Sequence, residues 1–434
     1  MTMTSKQVNV VILVAAILLS FGLRYFYAFH YAGFDEIKSS IGGDSEDYLQ
    51  IAYTFSKTGC FGRPAGVNVR EALLNDERPP IAREMVEYDS SRPPLWSFVL
   101  AVLMKLSNYN LRTLLCLRFA LDSLSLAIFL QVLCLIELSL ACRCAASFVF
   151  AAHPTWLLYS ETFLSEPFTI LVHVTLVFCL LRALRSKRKP FWTISVGVLG
   201  GLSVLAHPYY LFFAFFLIAA FYLTRQLDLK QALVSLALIC AVVAPWIIRN
   251  MLLYSTASPM LTTSAGGSLA KGWNSAFLGA YNNATAETLD ENADAPAVNL
   301  KGMNKAEIST HFTGLAFNFI RANWRLIPAI IGRKLVGALT PIPETARPGI
   351  LETGRALFQL ITVPFVLVGL IVGFGQRFSS FRLVLLSVFS AYCVMAVATI
   401  PTLRYRAPLI WVELISLFVG LELLAARFPR MKSL

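Results

Sequence analysis

Apolar runs recur from one end of this chain to the other, each continuous rather than alternating, and polar residues interrupt them briefly except in two places. At about 1.5 Å rise per residue, a helix of roughly 20 residues crosses a hydrocarbon core of about 30 Å. The pattern predicts ten crossings, at about 8–23, 112–138, 145–160, 167–184, 191–206, 209–224, 232–248, 356–374, 383–400 and 408–425. Strands of about ten alternating residues, the mark of a membrane barrel, are not what these runs look like. The expectation is an all-α polytopic membrane protein, a single membrane domain over 1–434 with no separate soluble domain and no internal repeat.

The two long interruptions, 29–111 and 251–353, have patterns of their own. Loops of that length between spans usually carry function. Within the first, 94–106 is apolar but short, and Pro93-Pro94 suits the first turn of a helix. It reads as a juxtamembrane or re-entrant helix, with a short crossing as the alternative. Within the second, 313–340 is amphipathic and carries Arg321, Arg325, Arg333 and Lys334, which predicts helices lying on the membrane surface.

Composition agrees with a bilayer setting. Of 434 residues, 57% are hydrophobic and only 14% charged, which excludes an ordinary soluble domain. The net charge of +12 is scattered through short loops rather than gathered with aromatics on one face, so it points to topology or lipid phosphate and not to nucleic acid. The eight cysteines form no disulfide framework and no metal spacing. The most basic short loop, Arg182 to Lys189, belongs on the cytoplasmic side by the positive-inside bias. If 94–106 does not cross, both termini are then cytoplasmic and both long loops lie outside.

That topology collects ionisable residues at the outer mouths of helices, where each is costly unless hydrated or paired. The group comprises Asp44, Glu46 and Asp47, Arg92, Glu161 and Glu166, His207, Arg249, Arg404 and Arg406. The first long loop alone holds 11 of the 25 acidic residues within 29–92. A carboxylate beside several arginines is what glycosyl transfer requires: a base for the acceptor hydroxyl, and cations for the departing phosphate. Arginine suits the second role because its fork donates bidentate bonds and stays charged. On this reading Asp44 is the base, with Arg92, Arg249, Arg404 and Arg406 as candidates for the phosphate and Tyr48, His207 and Tyr405 as possible substrate contacts.

Structural explanations exist for the same residues. Asp44 to Asp47 also suit the first turn of a helix, as does Glu166 before Pro167. The arginines could be interfacial, and His153-Pro154 and His207-Pro208 could mark helix ends. Oxygen ligands from Asp44 and Glu166 suit Mg2+ or Mn2+, but nothing in their spacing demands a metal.

Gly43-Asp44-Ser45-x-Asp47-Tyr48-Leu49-x-Ile51-Ala52, followed by Thr58-Gly59-Cys60-Phe61, resembles the first-loop signature of bacterial dolichyl-phosphate-mannose protein mannosyltransferase-like enzymes of the GT-C class. Arg92-Pro93-Pro94-Leu95 looks like their second signature. Ser165-Glu166-Pro167, Pro245-Trp246-x-x-Arg249-Asn250 and Arg404-Tyr405-Arg406-x-Pro408 are similar to motifs spaced along the same proteins, and the lipid A aminoarabinose transferases are also similar. The resemblance implies a polyprenyl-phosphate-sugar donor, an extracytoplasmic site and inverting transfer to an unidentified acceptor. It also implies that Asp44 is the catalytic aspartate, that Arg92 contacts the donor phosphate, and that Glu166 is the second-loop acid, a metal ligand in some branches. One departure is that Ser45-Glu46 stands where an acidic pair is frequent, which leaves Glu46 or Asp47 as the second carboxylate. The competing expectation is a transporter or flippase of a lipid-linked or anionic substrate, which would place polar breaks at the midplane of paired repeats.

Overall fold

The computed structural model describes residues 5–33, 37, 40–274, 302–340, 349–400 and 403–427. The Asn/Ala/Thr/Asp segment of the second long loop and the basic tail after Arg427 lie outside these. The principal helices are α1 (Ser5–Phe26), α2 (Asp44–Thr58), α3 (Pro94–Leu106), α4 (Leu111–Leu135), α5 (Leu140–Ala151), α6 (Glu166–Arg185), α7 (Lys189–Ala206), α8 (Leu211–Leu223) and α9 (Leu229–Leu253). The second half of the chain adds α10 (Ala265–Gly272), α11 (Lys305–Ala322), α12 (Ile327–Leu339), α13 (Ile350–Ile371), α14 (Ser379–Ala398) and α15 (Ile410–Arg427).

Eight helices among the described residues are long and apolar enough to cross a membrane. They coincide with eight of the ten expected crossings. The other two are shorter in the structure. The run 209–224 is α8 with a 3-10 turn, Pro208–Tyr210, before it. The run 145–160 is broken where Pro154 has no amide to offer: α5 ends at Ala151, and His153 caps a new helix, Pro154–Leu158, through Nδ1 accepting from the Thr155 amide at 3.2 Å. His207 likewise ends α7, so both His-Pro pairs lie at helix ends. The expected short helix 94–106 forms as α3, with Pro94 in its first turn.

The spans carry large apolar side chains outward. Val14, Leu18, Leu233, Leu252, Leu360 and Ile371 are all exposed, as lipid contact requires where no water can hydrate a backbone. Between spans, close approach depends on small residues. On α7, Gly197, Gly200 and Gly201 face α9, where a Cβ would come within 2.7 Å of Leu238, 2.9 Å of Ile239 and 2.6 Å of Val242. Helix α7 also packs on α6, and α8 on α14, so the middle of the chain forms one bundle.

The first long loop folds on this bundle. Its strands β1 (Gly62–Pro64) and β2 (Val86–Tyr88) pair antiparallel, and a Cβ at Gly62 would meet the Glu87 carbonyl at 2.4 Å. Helix α2 packs on α3 with Tyr48, Leu49, Ala52 and Tyr53 buried against Trp96 and Leu100. The second long loop contributes α10, α11 and α12, which gather around Trp273 and Ile330.

Candidate functional site

Helix α2 begins at Asp44 because Gly43, at φ 52°, turns the chain through a conformation that a side chain would strain. Asp44, Glu46 and Asp47 thus all fall in its first turn, where carboxylates complement the helix dipole. The helix-start explanation of these acids and the functional one are therefore compatible. The segment 159–166, which leads into α6, is stitched to this turn. Ser45 Oγ accepts from the Phe163 amide at 3.2 Å, the Tyr48 hydroxyl donates to Ser165 Oγ at 3.2 Å, and Trp96 Nε1 donates to the Phe163 carbonyl at 2.7 Å. Arg118 holds the same segment from below by donating to the carbonyls of Tyr159 and Thr162. Glu166, first residue of α6, is placed by these contacts beside α2.

Four acids and four bases then alternate in a continuous line. Glu166 Oε1 pairs with Arg404 Nε, and Arg404 Nη1 lies 2.6 Å from Asp44 Oδ2. Asp44 Oδ1 pairs with Arg92 Nη2, which also lies 2.7 Å from Asp47 Oδ2. Asp47 Oδ1 lies 2.6 Å from Arg63 Nη1, and Arg63 Nε lies 2.5 Å from Asp89 Oδ2. Lys305 Nζ closes the line, 2.9 Å from the same Asp89 oxygen.

The line sets the electrostatics. Burial raises the Asp44 carboxyl, but Arg404 and Arg92 outweigh it and hold the group below the usual carboxylate range. Burial likewise opposes the Asp89 charge, and Arg63 with Lys305 brings it down to about 2. For Arg92, burial works against the cation while Asp44, Tyr48 and Asp47 more than restore it. Burial pushes the His207 imidazole down to about 4, so it is neutral at physiological pH.

A cavity of about 1130 Å3 opens beside the line. Asp44, Tyr48, Arg92, His207, Arg404 and Tyr405 all line it. Its wall turns apolar at Leu211, Ile247 and Met260, and hydroxylic at Ser268, Thr310 and Thr313.

The other expected residues lie off the cavity wall. Asp47 is one step behind Asp44 in the line, and Glu46 accepts from Gln50 at 3.0 Å. Glu166 is fully buried, and its Oε2 has no hydrogen-bond partner among the described residues. Glu161 is buried in the segment 159–166, where its carbonyl accepts from Ser40 at 2.8 Å. Arg249 donates to Ser90 Oγ and, at 2.9 Å, to the Phe61 carbonyl, with Trp246 stacked 4.7 Å away, so it ties α9 to the first loop. Arg406 is buried in a pair with Glu413 at 2.8 Å and donates to the Ala338 carbonyl at 3.2 Å, so it is turned away from Asp44 although it stands two residues from Arg404.

Three members of the line were not singled out by the sequence: Arg63, Asp89 and Lys305. Asp89 stands three residues before Arg92, and Arg63 two after Phe61, so both border recognisable motifs. Lys305 begins α11 behind the Asn304–Glu307 capping box, and no local pattern links it to residue 89. Lys334, one cation of the amphipathic stretch, is buried rather than exposed. It donates to the carbonyls of Val397 and Thr399 at 2.8 and 2.9 Å, under the Trp273 ring at 4.1 Å.

The metal expectation meets a specific obstacle. Arg404 occupies the position between Asp44 and Glu166, and no group of three or more His, Cys, Asp and Glu side chains converges among the described residues. A cation held by Asp44 and Glu166 would have to share that space with the Arg404 guanidinium, so the donors as arranged do not fit one.

No protein-family model matches the chain, and none of the curated proteins matches it in sequence. Solved structures do match. The oligosaccharyltransferase of Archaeoglobus fulgidus, solved with Zn and sulfate, is similar over 96% of this chain at 13% identity and a TM-score of 0.53. Its apo form is similar over 98% of this chain at 14% identity, again with a TM-score of 0.53. This chain spans about half the length of that protein, 49% and 51% in the two structures. ArnT of Cupriavidus metallidurans in the apo state matches over 94% of this chain and 77% of its own, at 12% identity and a TM-score of 0.39. The likeness is one of fold: the chain adopts the all-α, polytopic, GT-C-like architecture that its sequence led us to expect.

Proposed function

We propose that the chain is an inverting glycosyltransferase that moves a sugar from a polyprenyl-phosphate donor to an acceptor at the extracytoplasmic face of the membrane. The observation that carries this is the Asp44 carboxylate, held between Arg92 and Arg404 on the wall of a cavity large enough for a lipid-linked sugar. Leu211 and Ile247 on that wall lie next in the chain to exposed Phe212 and Ile248, which supports entry of a prenyl chain from the bilayer.

Two guanidinium groups so close to a base depress its basicity, and a depressed base is a poor proton acceptor. The donor phosphate resolves this. Entering between Arg92 and Arg404, its oxygens take over the guanidinium donors that Asp44 now holds. Asp44 then keeps its burial but loses its counter-charges, and its proton affinity rises. The acceptor oxygen bonds to the anomeric carbon as the bond from that carbon to the phosphate oxygen breaks. The electron pair leaves on the phosphate, facing Arg92 and Arg404, and the acceptor proton goes to Asp44. Asp47 and Glu166 keep the two arginines aimed when Asp44 lets go.

Sidedness rests on the length of α6. Glu166 begins it at the site and Arg185 ends it, so the basic loop lies about 30 Å from the site by helix rise. Positive charge at that end supports a cytoplasmic placement there, with both termini inside and the cavity outside.

The test supplies undecaprenyl-phosphate-linked sugars to the purified full chain in nanodiscs and measures release of undecaprenyl phosphate with formation of a new glycosidic bond. Transport of the intact lipid across liposomes, without bond cleavage, would overturn the reading in favour of a flippase.

A further inference from the structure

The corner between α11 and α12 lies off the cavity and has a chemistry of its own. From 308 to 340 the chain holds Arg321, Arg325, Arg333 and Lys334 and not one acidic residue. Lys334 turns inward onto the end of α14. Arg321, in the last turn of α11, and Arg325, in the 3-10 turn Trp324–Leu326, are instead exposed, and neither pairs with an acid among the described residues. The corner is also apolar. Trp324 is 66% exposed with the Arg325 guanidinium 5.4 Å from its ring centre, and Leu326 and Phe317 are exposed beside it.

The level of this corner in the membrane follows from α12. Lys334 donates to the carbonyls of Val397 and Thr399, at the end of span α14, while the Ala338 carbonyl accepts from the Tyr392 hydroxyl at 3.3 Å, further back along that span. Helix α12 therefore descends beside α14, antiparallel to it, and Val336, 64% exposed, faces outward at the depth of the span. In the other direction the corner rises. Ile327 stands seven residues before Lys334, about 10 Å higher at 1.5 Å per residue. A core of about 30 Å inside a bilayer of about 40–45 Å leaves roughly 5–8 Å of polar layer on each face. The corner is thus at the height of lipid phosphates, where Trp anchors and Arg reaches a headgroup with its stem in apolar surroundings. Thr310, Gly314, Phe317 and Arg321 are exposed along one stripe of α11, which runs from the cavity wall at Thr310 to the corner, so both belong to one leaflet.

We propose that this corner binds an anionic phospholipid of that leaflet, with Arg321 and Arg325 holding the headgroup phosphate and Trp324 and Leu326 seated at the ester end of its chains. Charge chooses the lipid. A zwitterionic headgroup brings its own cation to a place that already has two and no acid, whereas an anionic one supplies the missing charge.

The experiment places the full chain in nanodiscs of equal parts phosphatidylglycerol and phosphatidylcholine and reads Trp324 fluorescence as the difference between the parent and Trp324→Phe. One lipid at a time carries bromine near the ester end of its chains, where it quenches an indole in contact with it. Phosphatidylglycerol should outnumber phosphatidylcholine around Trp324 by about fivefold or more, the worth of one arginine at an anionic surface. Arg321→Ala combined with Arg325→Ala should remove the preference, and Arg321→Lys combined with Arg325→Lys should keep it. Equal quenching by the two lipids, or a preference that survives the double alanine variant, overturns the proposal. Quenching by aqueous acrylamide and by neither lipid overturns it too, in favour of a soluble acidic partner at the corner. No sugar transfer is read, so the outcome stands apart from the transferase reading.

Discussion

Arg404 Nη1 lies 2.6 Å from Asp44 Oδ2 while its Nε pairs with the buried Glu166, so one guanidinium from the last span joins the carboxylates that begin α2 and α6. Removing the acid it shares tests the assigned base. Asp44→Asn keeps the size of the side chain and loses its charge. Transfer should fall by about 10²–10⁴-fold, the usual worth of a general base. Full transfer by a well-folded Asn variant would refute the role of Asp44.

The takeover of Arg92 and Arg404 by a phosphate has a calorimetric signature. If Asp44 gains proton affinity when the lipid binds, titration of an undecaprenyl-phosphate-linked neutral sugar, whose phosphodiester has no proton to lose near pH 5, should show proton uptake, read as a heat that varies with the ionisation enthalpy of the buffer. Asp44→Asn should abolish that dependence. A buffer-independent heat in the parent protein contradicts the takeover.

Arg404 stands where a metal between Asp44 and Glu166 would stand. Chelation of the purified protein should leave transfer unchanged, and Mn2+ should not stimulate it. Loss of activity on chelation, with recovery on adding one divalent ion, would show that Arg404 moves aside for a metal.

Asp89 links stability to pH. Its folded value is held at about 2 against an ordinary value of 3.8. A depressed carboxylate stabilises the fold fully above its unfolded value and loses that contribution as pH falls through the folded one. Between pH 4 and 2 the melting temperature should therefore drop, with about 2 kcal/mol at stake from this group by linkage. Asp89→Asn should melt lower at pH 7 and show a shallower drop in acid; an unchanged acid profile would remove Asp89 from the account.

Arg63 does not itself line the cavity, yet it fixes Asp47 and through it Arg92. Arg63→Ala should lower kcat about tenfold with little change in KM, and Arg63→Lys should recover part of the loss. A change confined to KM would point to a direct role in binding.

Much of this site was legible in the sequence because its members sit in short local patterns. Gly43-Asp44 begins a helix, Arg92 precedes two prolines that begin another, and Glu166 begins a third. Chain direction and charge bias then placed them on one side. What local patterns do not carry is pairing across the fold. Arg404 and Arg406 are two residues apart in one turn and looked equivalent, but helical geometry points the first at Asp44 and the second at Glu413. Lys305 joins Asp89 only through the folding of the second loop onto the first. The break at 152–153 was visible as His153-Pro154, but the hydrophobicity on both sides of it read as one crossing.

The line of charges from Glu166 to Lys305 is even: each acid has a base and none is left over. In the proposed reaction the donor brings a phosphodiester with one negative charge and leaves behind a phosphomonoester with close to two. The arginines that accept the donor therefore grip the spent carrier harder than the loaded one. Such an enzyme is held back by its own product, and its pace in the membrane follows how quickly the bare lipid phosphate is drawn away.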